Sequence, residues 1–241
     1  MSTNSKSLTV TLTFSSITIA VLSSIVTTYL ISKKKPVSLI ESLQKPGQSD
    51  IVHNAITTRR SVEWFDPILP LDWEEKVKMS IEAAITAPNH RRTEPWRFYL
   101  LNRETWRKVC ELVADRVTEK QGPKAGEAKF NKWMKVPGHV VITCVKQNPE
   151  RDHESLEDAR GKEREDYAAC CCAAQNMCLS LHSNGLSSLW CSAWYNDDKR
   201  YHELVGIHDN EYVVGTFWFG KSMRKLSKRQ RNLTVDDVYF K

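Results

Sequence analysis

Two short cationic stretches of the chain carry the residue types that bind anions. The first is the tripeptide "RRS", residues 59–61, and the second is the loop "APNHRRTEPWRF", residues 87–98, which adds a His and another Arg pair. Guanidinium groups bind phosphate oxygens through paired hydrogen bonds, and a Ser hydroxyl is a further donor. Both stretches therefore favour an anionic ligand, although an Arg pair also suits a solvent-facing turn.

Two further stretches could contribute to a site. The segment "LWCS", residues 189–192, lies on a predicted strand, and the basic tail "KSMRKLSKRQRNL" occupies residues 221–233. The seven cysteines do not have zinc-ligand spacing, and three of them are consecutive, Cys170 to Cys172. Successive helical residues point about 100° apart, so this triplet cannot chelate one ion from a helix. We expect no metal and no catalytic triad, and we interpret the cysteines as small core residues in a reducing compartment.

The charge of the chain is unevenly distributed. The net charge is +6 over 241 residues, and residues 1–50 supply five Lys against Glu41 and Asp50, which gives +3. The remaining 191 residues are only mildly basic, and they show no basic stripe with interleaved aromatic residues. We therefore exclude nucleic acid as a partner.

The first part of the chain contains a long uncharged segment, residues 8–31. These 24 residues could span a bilayer as a helix, although ten of them are Ser or Thr. Lys33, Lys34 and Lys35 follow the segment and only Lys6 precedes it, so the positive-inside rule places the rest of the chain in the cytosol. The sequence predicts a tail over 1–7, a single-pass anchor over 8–31, a linker over 32–50 and a folded domain over 51–241.

The folded domain alternates helical and strand patterns, which is typical of an α+β or α/β layered domain. A helix over 166–184 is apolar nearly all round, so we expect it at the centre of the structure or in a subunit interface. Residues 122–135 receive no assignment. A further helix is predicted from Asp72 to Pro88, with Glu75 completing a capping-box-like pattern. The other predicted helices span 50–58, 104–120 and 198–205. The predicted strands span 97–101, 139–146, 188–192 and 212–219.

The order of these motifs resembles the FMN-dependent nitroreductase family. The resemblance covers residues 51–241 and depends on "RRS", on "AP…EPWRF" about 30 residues later, and on "AAQNM" before a glycine turn. The loop is most similar to that of a small bacterial subgroup. The resemblance implies an α+β fold, a three-layer α/β/α sandwich with a central mixed sheet, here preceded by the transmembrane helix. It also implies a homodimer with one FMN at each of two interface sites.

The resemblance also implies which residues contact the cofactors. The expected FMN contacts are Arg59, Arg60, Ser61, Thr86, His90, Trp190, Cys191, Ser192 and, from the tail, Arg229 or Arg231. The segment assigned to NADH or NADPH is Ser180, Leu181, His182, Ser183, Asn184 and Gly185. The flavin carries the redox chemistry, so no side chain need act as a nucleophile. The implied activity is ping-pong hydride transfer from NAD(P)H through FMN to a small electron-poor acceptor, such as a nitroaromatic or a quinone.

Two alternatives remain at this point. Arg92, Glu94 and Cys191 depart from the family pattern, which leaves open a flavin-binding module that has lost turnover. The tetrapeptide "TEPW", residues 93–96, resembles a loop of iodotyrosine deiodinase, a reductive dehalogenase with an N-terminal anchor. That enzyme holds its substrate with a Glu, Tyr and Lys lid, whereas the corresponding stretch here offers Lys132 and Lys135 without a Tyr.

Overall fold

The computed structural model describes residues 48–146 and 155–226. The chain divides into two compact units, Met1–Val52 and His53–Lys241, and the first unit is described only over residues 48–52. None of the helices formed by the described residues is long and apolar enough to cross a bilayer. The anchor predicted over 8–31 lies outside the described residues and stays a prediction.

Six α-helices and four β-strands form the described part of the chain. The helices are α1 (Gln48–Thr58), α2 (Trp73–Ala84), α3 (Arg103–Gln121), α4 (Pro123–Trp133), α5 (Leu156–Ser183) and α6 (Lys199–Val205). The strands are β1 (Trp96–Leu100), β2 (Gly138–Val145), β3 (Ser187–Cys191) and β4 (Glu211–Gly220). Single 3₁₀ turns occupy His90–Arg92 and Trp194–Asp197.

The strands form one sheet with the order β1-β2-β4-β3. All three strand pairs are antiparallel. The parallel contact in the described residues is an isolated bridge between Ser61 and Ser188. The expected mixed sheet is therefore replaced, within residues 48–146 and 155–226, by antiparallel ladders with one parallel bridge at the β3 edge.

Helices cover both faces of the sheet, which agrees with the predicted three layers. Alternate residues of β2 point to opposite faces, because successive side chains of a strand do so. Val140 and Ile142 pack with α2 and α5 in one buried cluster. Val141 packs with α3, α4 and α6 in the other. The central strands β2 and β4 are consequently buried on both sides.

A helix start and a helix cap differ from the predictions, besides smaller shifts at other boundaries and an end of α2 at Ala84 instead of Pro88. Helix α5 begins at Leu156, ten residues before the predicted start at Asp166, and the Ser155 hydroxyl accepts the amide of Asp158 at 3.1 Å as its N-cap. The first part of α5 is charged, so an apolar pattern finds only the buried part. Asp72 makes no side-chain cap on α2, so the expected capping box is wrong. Its carboxylate instead lies 3.0 Å from Lys76 Nζ.

A β-bulge interrupts the pairing of β2 with β4. Ile142 is opposite Gly215 and Thr143 is opposite Val213, so Val214 is the extra residue. Val214 and Gly215 consequently face the same side of the sheet, toward α2 and α5. A bulge of this kind leaves backbone groups free to bond a side chain.

Candidate functional site

The tripeptide Arg59–Ser61 directly follows α1 and is fixed to the edge of the sheet. Ser61 bridges to Ser188 at the start of β3, and the Val62 amide donates to the Ser188 carbonyl at 3.1 Å. Arg60 donates from one guanidinium nitrogen to the carbonyls of Thr57 at 2.7 Å and Arg59 at 2.6 Å. Its Nε is buried and has no hydrogen-bond partner among the described residues. This guanidinium therefore retains an unused donor.

The C-terminal end of α5 meets this tripeptide. His182 Nε2 lies 2.8 Å from the Thr58 hydroxyl, the residue before Arg59. Burial lowers the pKa of His182, and the positive charges of Arg59 and Arg60 lower it further. The structure thus brings together the predicted phosphate motif and the segment Ser180–Gly185. Gly185, with φ of 78°, ends the helix in the left-handed region that favours glycine.

The residues of the "LWCS" segment separate between the two faces of the sheet. The Trp190 ring lies 5.0 Å from the Phe217 ring on the α2 and α5 side, and its Nε1 donates to the Val214 carbonyl at 3.3 Å. Cys191 packs on the opposite side, where burial, followed by the charge of Glu63, raises its pKa to about 12. Ser192 is exposed just past the strand. The side chains of Trp190 and Cys191 therefore do not form one surface.

The Arg-rich loop before β1 lies beside a different part of α5. His90 Nδ1 is 3.8 Å from a Glu165 carboxylate oxygen, and the Thr93 hydroxyl donates to Asp166 at 2.6 Å. Arg91, Arg92 and Glu94 have φ values of 51°, 58° and 44°, a conformation that non-glycine residues adopt at a cost of about 1–3 kcal/mol each. The exposed Thr86 hydroxyl donates to a carbonyl of the preceding turn.

The loop and the Arg59–Ser61 motif are far apart within one chain. Asp166 and His182 mark the two contacts along α5 and are separated by 16 residues, which at 1.5 Å per residue is about 24 Å. One copy of the chain therefore does not assemble His90 and Arg59 into a single pocket. Arg229 and Arg231, the predicted tail contacts, lie outside the described residues.

A cleft of about 570 Å³ begins two residues beyond Ser61. Its walls come from the segment Glu63–Pro67, from α4 and the turn after it, and from Met223 near the described end of the chain. Most of its surface is apolar, supplied by residues that include Trp64 and Phe65. The lining residues are Glu63, Trp64, Phe65, Pro67, Ala128, Asn131, Lys132, Lys135, Val136 and Met223.

Cations surround the aromatic wall of this cleft. Lys132 Nζ lies 5.0 Å from the Trp64 ring centre and 3.6 Å from a Glu63 carboxylate oxygen. Arg224 lies on the same ring at 4.9 Å. A flat apolar wall with nearby ammonium and guanidinium groups suits a planar ligand that carries negative charge.

Sequence reasoning missed this cleft because it left residues 122–135 without an assignment. Pro123 occupies the first turn of α4 and Gly122 precedes it, which is a helix-start signal. In the sequence, Lys132 and Lys135 lie three positions apart and match only part of a dehalogenase lid. Within the described residues, no group of three or more His, Cys, Asp or Glu side chains could hold a metal ion.

The sequence model of one family matches residues 56–221, most of the chain. That family is the nitroreductase family. The chain belongs to the nitroreductase family. The family predicted from the order of the motifs is therefore confirmed.

Relatives in the nitroreductase family agree with this assignment. A Bacillus subtilis protein, YfhC, provisionally named an NAD(P)H nitroreductase, is 28% identical over 173 residues, which cover 68% of this chain and 80% of the relative. A nitroreductase-like family protein from Bacillus cereus has a similar solved structure, with a TM-score of 0.63, 22% identity and coverage of 78% of this chain and 95% of that one. A nitroreductase with bound FMN from Bacteroides fragilis gives 0.58 at 20% identity, covering 78% and 97%.

Proposed function

We propose that the chain is an FMN-dependent NAD(P)H oxidoreductase that reduces a small electron-poor acceptor by a ping-pong reaction. The observation that carries the proposal is the buried Nε of Arg60, which has no hydrogen-bond partner in the described residues. Arg60 precedes Glu63, a lining residue of the cationic cleft, by three positions. A buried donor without a partner is costly, and a phosphate oxygen would satisfy it. Family membership and the relative named as an NAD(P)H nitroreductase support the same reading.

The residues of the site fit the chemistry of FMN. Arg59, Arg60 and the exposed hydroxyl of Ser61 offer donors to its phosphate. The Trp64 and Phe65 wall of the cleft offers an apolar surface to its ring, and Lys132 and Lys135 offer positive charge. When bound, FMN accepts a hydride from a nicotinamide and passes it to the acceptor. The chain holds and orients the reactants and sets their electrostatic environment.

The segment Ser180–Gly185 is the proposed contact for NADH or NADPH. It ends α5 beside Arg59, so the donor would approach from the edge of the sheet at β3. Burial, followed by the charges of Arg59 and Arg60, lowers the pKa of His182 and so favours its neutral form. A neutral ring can donate or accept one hydrogen bond without competing with the Arg side chains for the phosphate.

The proposed enzyme is a homodimer whose site is completed by the second copy. The loop at His90 and the motif at Arg59 lie about 24 Å apart along α5, so one copy cannot supply both to one flavin. The outward face of α5 carries the small or uncharged residues Ala168, Cys172 and Gln175, all exposed in the single chain. A second copy packed on this face would bury it and bring one copy's loop toward the other's Arg motif.

The segment 8–31 is proposed to anchor the enzyme in a membrane, with the folded domain in the cytosol. The support is the sequence alone, namely the uncharged length and the three Lys that follow it. Protease added to intact organelles should then remove the domain. Protection of the domain would mean that the topology is reversed or that the segment is an import signal.

The visible spectrum of the purified full-length chain in detergent tests the activity. A flavin spectrum that bleaches on anaerobic addition of NADPH or NADH, and returns on addition of a nitroaromatic or quinone, would support the proposal. A flavin spectrum that neither donor bleaches would contradict turnover and leave a binding module. A folded chain that takes up no added FMN would contradict the flavin site itself. Release of iodide from iodotyrosine would instead favour the dehalogenase.

A further inference from the structure

Glu63 places a carboxylate in a cleft wall that is otherwise neutral or cationic. Its side chain is 58% exposed and lines the cleft with Lys132 and Lys135. The Glu63 carboxylate lies 3.6 Å from Lys132 Nζ. At this distance the carboxylate offsets much of the Lys132 charge that a ligand in the cleft would otherwise meet.

Glu63 follows the Arg motif in the chain and pairs with Lys132 on α4. It follows Ser61 by two residues, so it is tied to the Arg motif through the chain. Its negative charge also adds to the effect of burial in raising the pKa of the Cys191 thiol on β3. A ligand held in the cleft by Lys132 therefore comes close to this carboxylate.

We propose that Glu63 makes the flavin in this cleft a stronger reductant, because its carboxylate disfavours the reduced, more negatively charged form relative to the oxidised form. The inference rests on the proposed function. Reduction by hydride adds two electrons and one proton to FMN, which leaves one additional negative charge on the ring. A fixed negative charge nearby raises the free energy of that form, and the positive charge of Lys132 lowers it.

The midpoint potential of the FMN-loaded, full-length chain tests this role by equilibration with a reference dye. Glu63→Gln should favour binding of reduced over oxidised FMN by about threefold to tenfold, because the side chain is half exposed and solvent weakens its field. For a two-electron couple, tenfold corresponds to a potential about 30 mV higher. Lys132→Gln should shift the potential in the opposite direction, and the double variant should return toward the wild-type value.

The sign of the two shifts separates an electrostatic role from a structural one. If the pair only held α4 against the segment Glu63–Pro67, each single variant would break the same contact and change the potential in the same direction. Glu104→Gln is the matched control, because Glu104 forms an exposed pair with Lys108 on α3 at 3.2 Å. This control should leave the potential unchanged.

Three results would overturn the inference. One is an unchanged potential in Glu63→Gln that still binds FMN, which refutes the role of Glu63 alone. Another is a shift of the same sign in both single variants. The third is a wild-type chain that takes up no FMN, which refutes the proposed function as well. If Glu63→Gln does not fold, a lower potential in Lys132→Gln supports the inference and an unchanged or higher one overturns it.

Discussion

The Thr58 hydroxyl lies 2.8 Å from Nε2 of His182, although 124 positions separate the two residues in the chain. This contact fastens the end of α1 to the end of α5. It also places an imidazole beside Arg59 and Arg60, whose charges add to burial in lowering its pKa. The titration of His182 therefore reports on what binds to the Arg pair.

FMN should raise the pKa of His182, because a bound phosphate offsets the charges of Arg59 and Arg60. NMR titration of the ring protons, with and without FMN, measures the change. Without ligand, the lowered pKa means that the unfolded state binds the proton more readily, so stability should fall as the pH drops below about 6.5. Replacing both Arg residues by Ala should raise the pKa without FMN and remove its response to FMN. No change on adding FMN would contradict a phosphate at this position.

The double variant Arg59→Ala, Arg60→Ala should fold and lose FMN. Charge-assisted hydrogen bonds contribute about 1.5–3 kcal/mol each, so the loss of one bond from each Arg should raise the FMN dissociation constant at least about a hundredfold. Flavin absorbance after gel filtration measures retention, and circular dichroism checks the fold. Arg107→Ala is the control, since Arg107 pairs with Glu111 on the exposed surface of α3. Full retention of flavin in the double variant would refute the phosphate assignment.

The outward face of α5 should be the dimer contact. Cys172 is exposed in the single chain, and an Arg at this position would place an unpaired charge in the interface. We expect Cys172→Arg to elute as a monomer, measured by light scattering, and to lose FMN if the site needs both copies. Glu104→Arg, on the exposed surface of α3, is the control and should remain dimeric. A dimeric Cys172→Arg variant would place the contact elsewhere.

Gly215→Ala should displace the Trp190 indole. A Cβ at residue 215 would lie 2.1 Å from Trp190 Nε1, which is closer than atoms can approach. We expect a loss of about 1–3 kcal/mol in the free energy of unfolding, measured with urea, together with a change in Trp fluorescence. Gly161→Ala is the matched control, because it lies within α5 with no other atom inside 4 Å. That change should stabilise the helix by about 0.5–1 kcal/mol.

Local patterns allowed much of the fold to be predicted. Trp106, Val109, Leu112 and Val113 recur at helical spacing, and all four are buried where α3 packs on the sheet. Helix α4 could not be predicted in this way, because it buries only Gly126 and Trp133 along its length. A helix with so little buried surface leaves almost no apolar period in the sequence.

The candidate site was predictable in its parts and not in its arrangement. The anion-binding residue types of Arg59–Ser61 are legible in the sequence, and the family that they indicate is confirmed. Their contact with His182 depends on the pairing of Ser61 with Ser188, a long-range contact that no local pattern encodes. The separation of the His90 loop from Arg59 depends on which part of α5 each of them contacts, and no local pattern encodes those contacts. Successive side chains of a strand point to opposite faces of the sheet, so the strand predicted over 188–192 is enough to predict that Trp190 and Cys191 point apart.

The bulge in β4 means that deletion of Val214 would restore regular alternation along the strand. On either side of it, Val213 and Thr216 contact the same helical layer, and Tyr212 and Gly215 face the other. Removing Val214 would therefore make the partners of Ile142 and Thr143 consecutive and leave every remaining side chain on its present face. The strand would lose the carbonyl that receives the Trp190 indole. Gene variants that lack the Val214 codon should thus keep the register of the sheet, at the cost of one buried apolar side chain and of the hydrogen bond to Trp190.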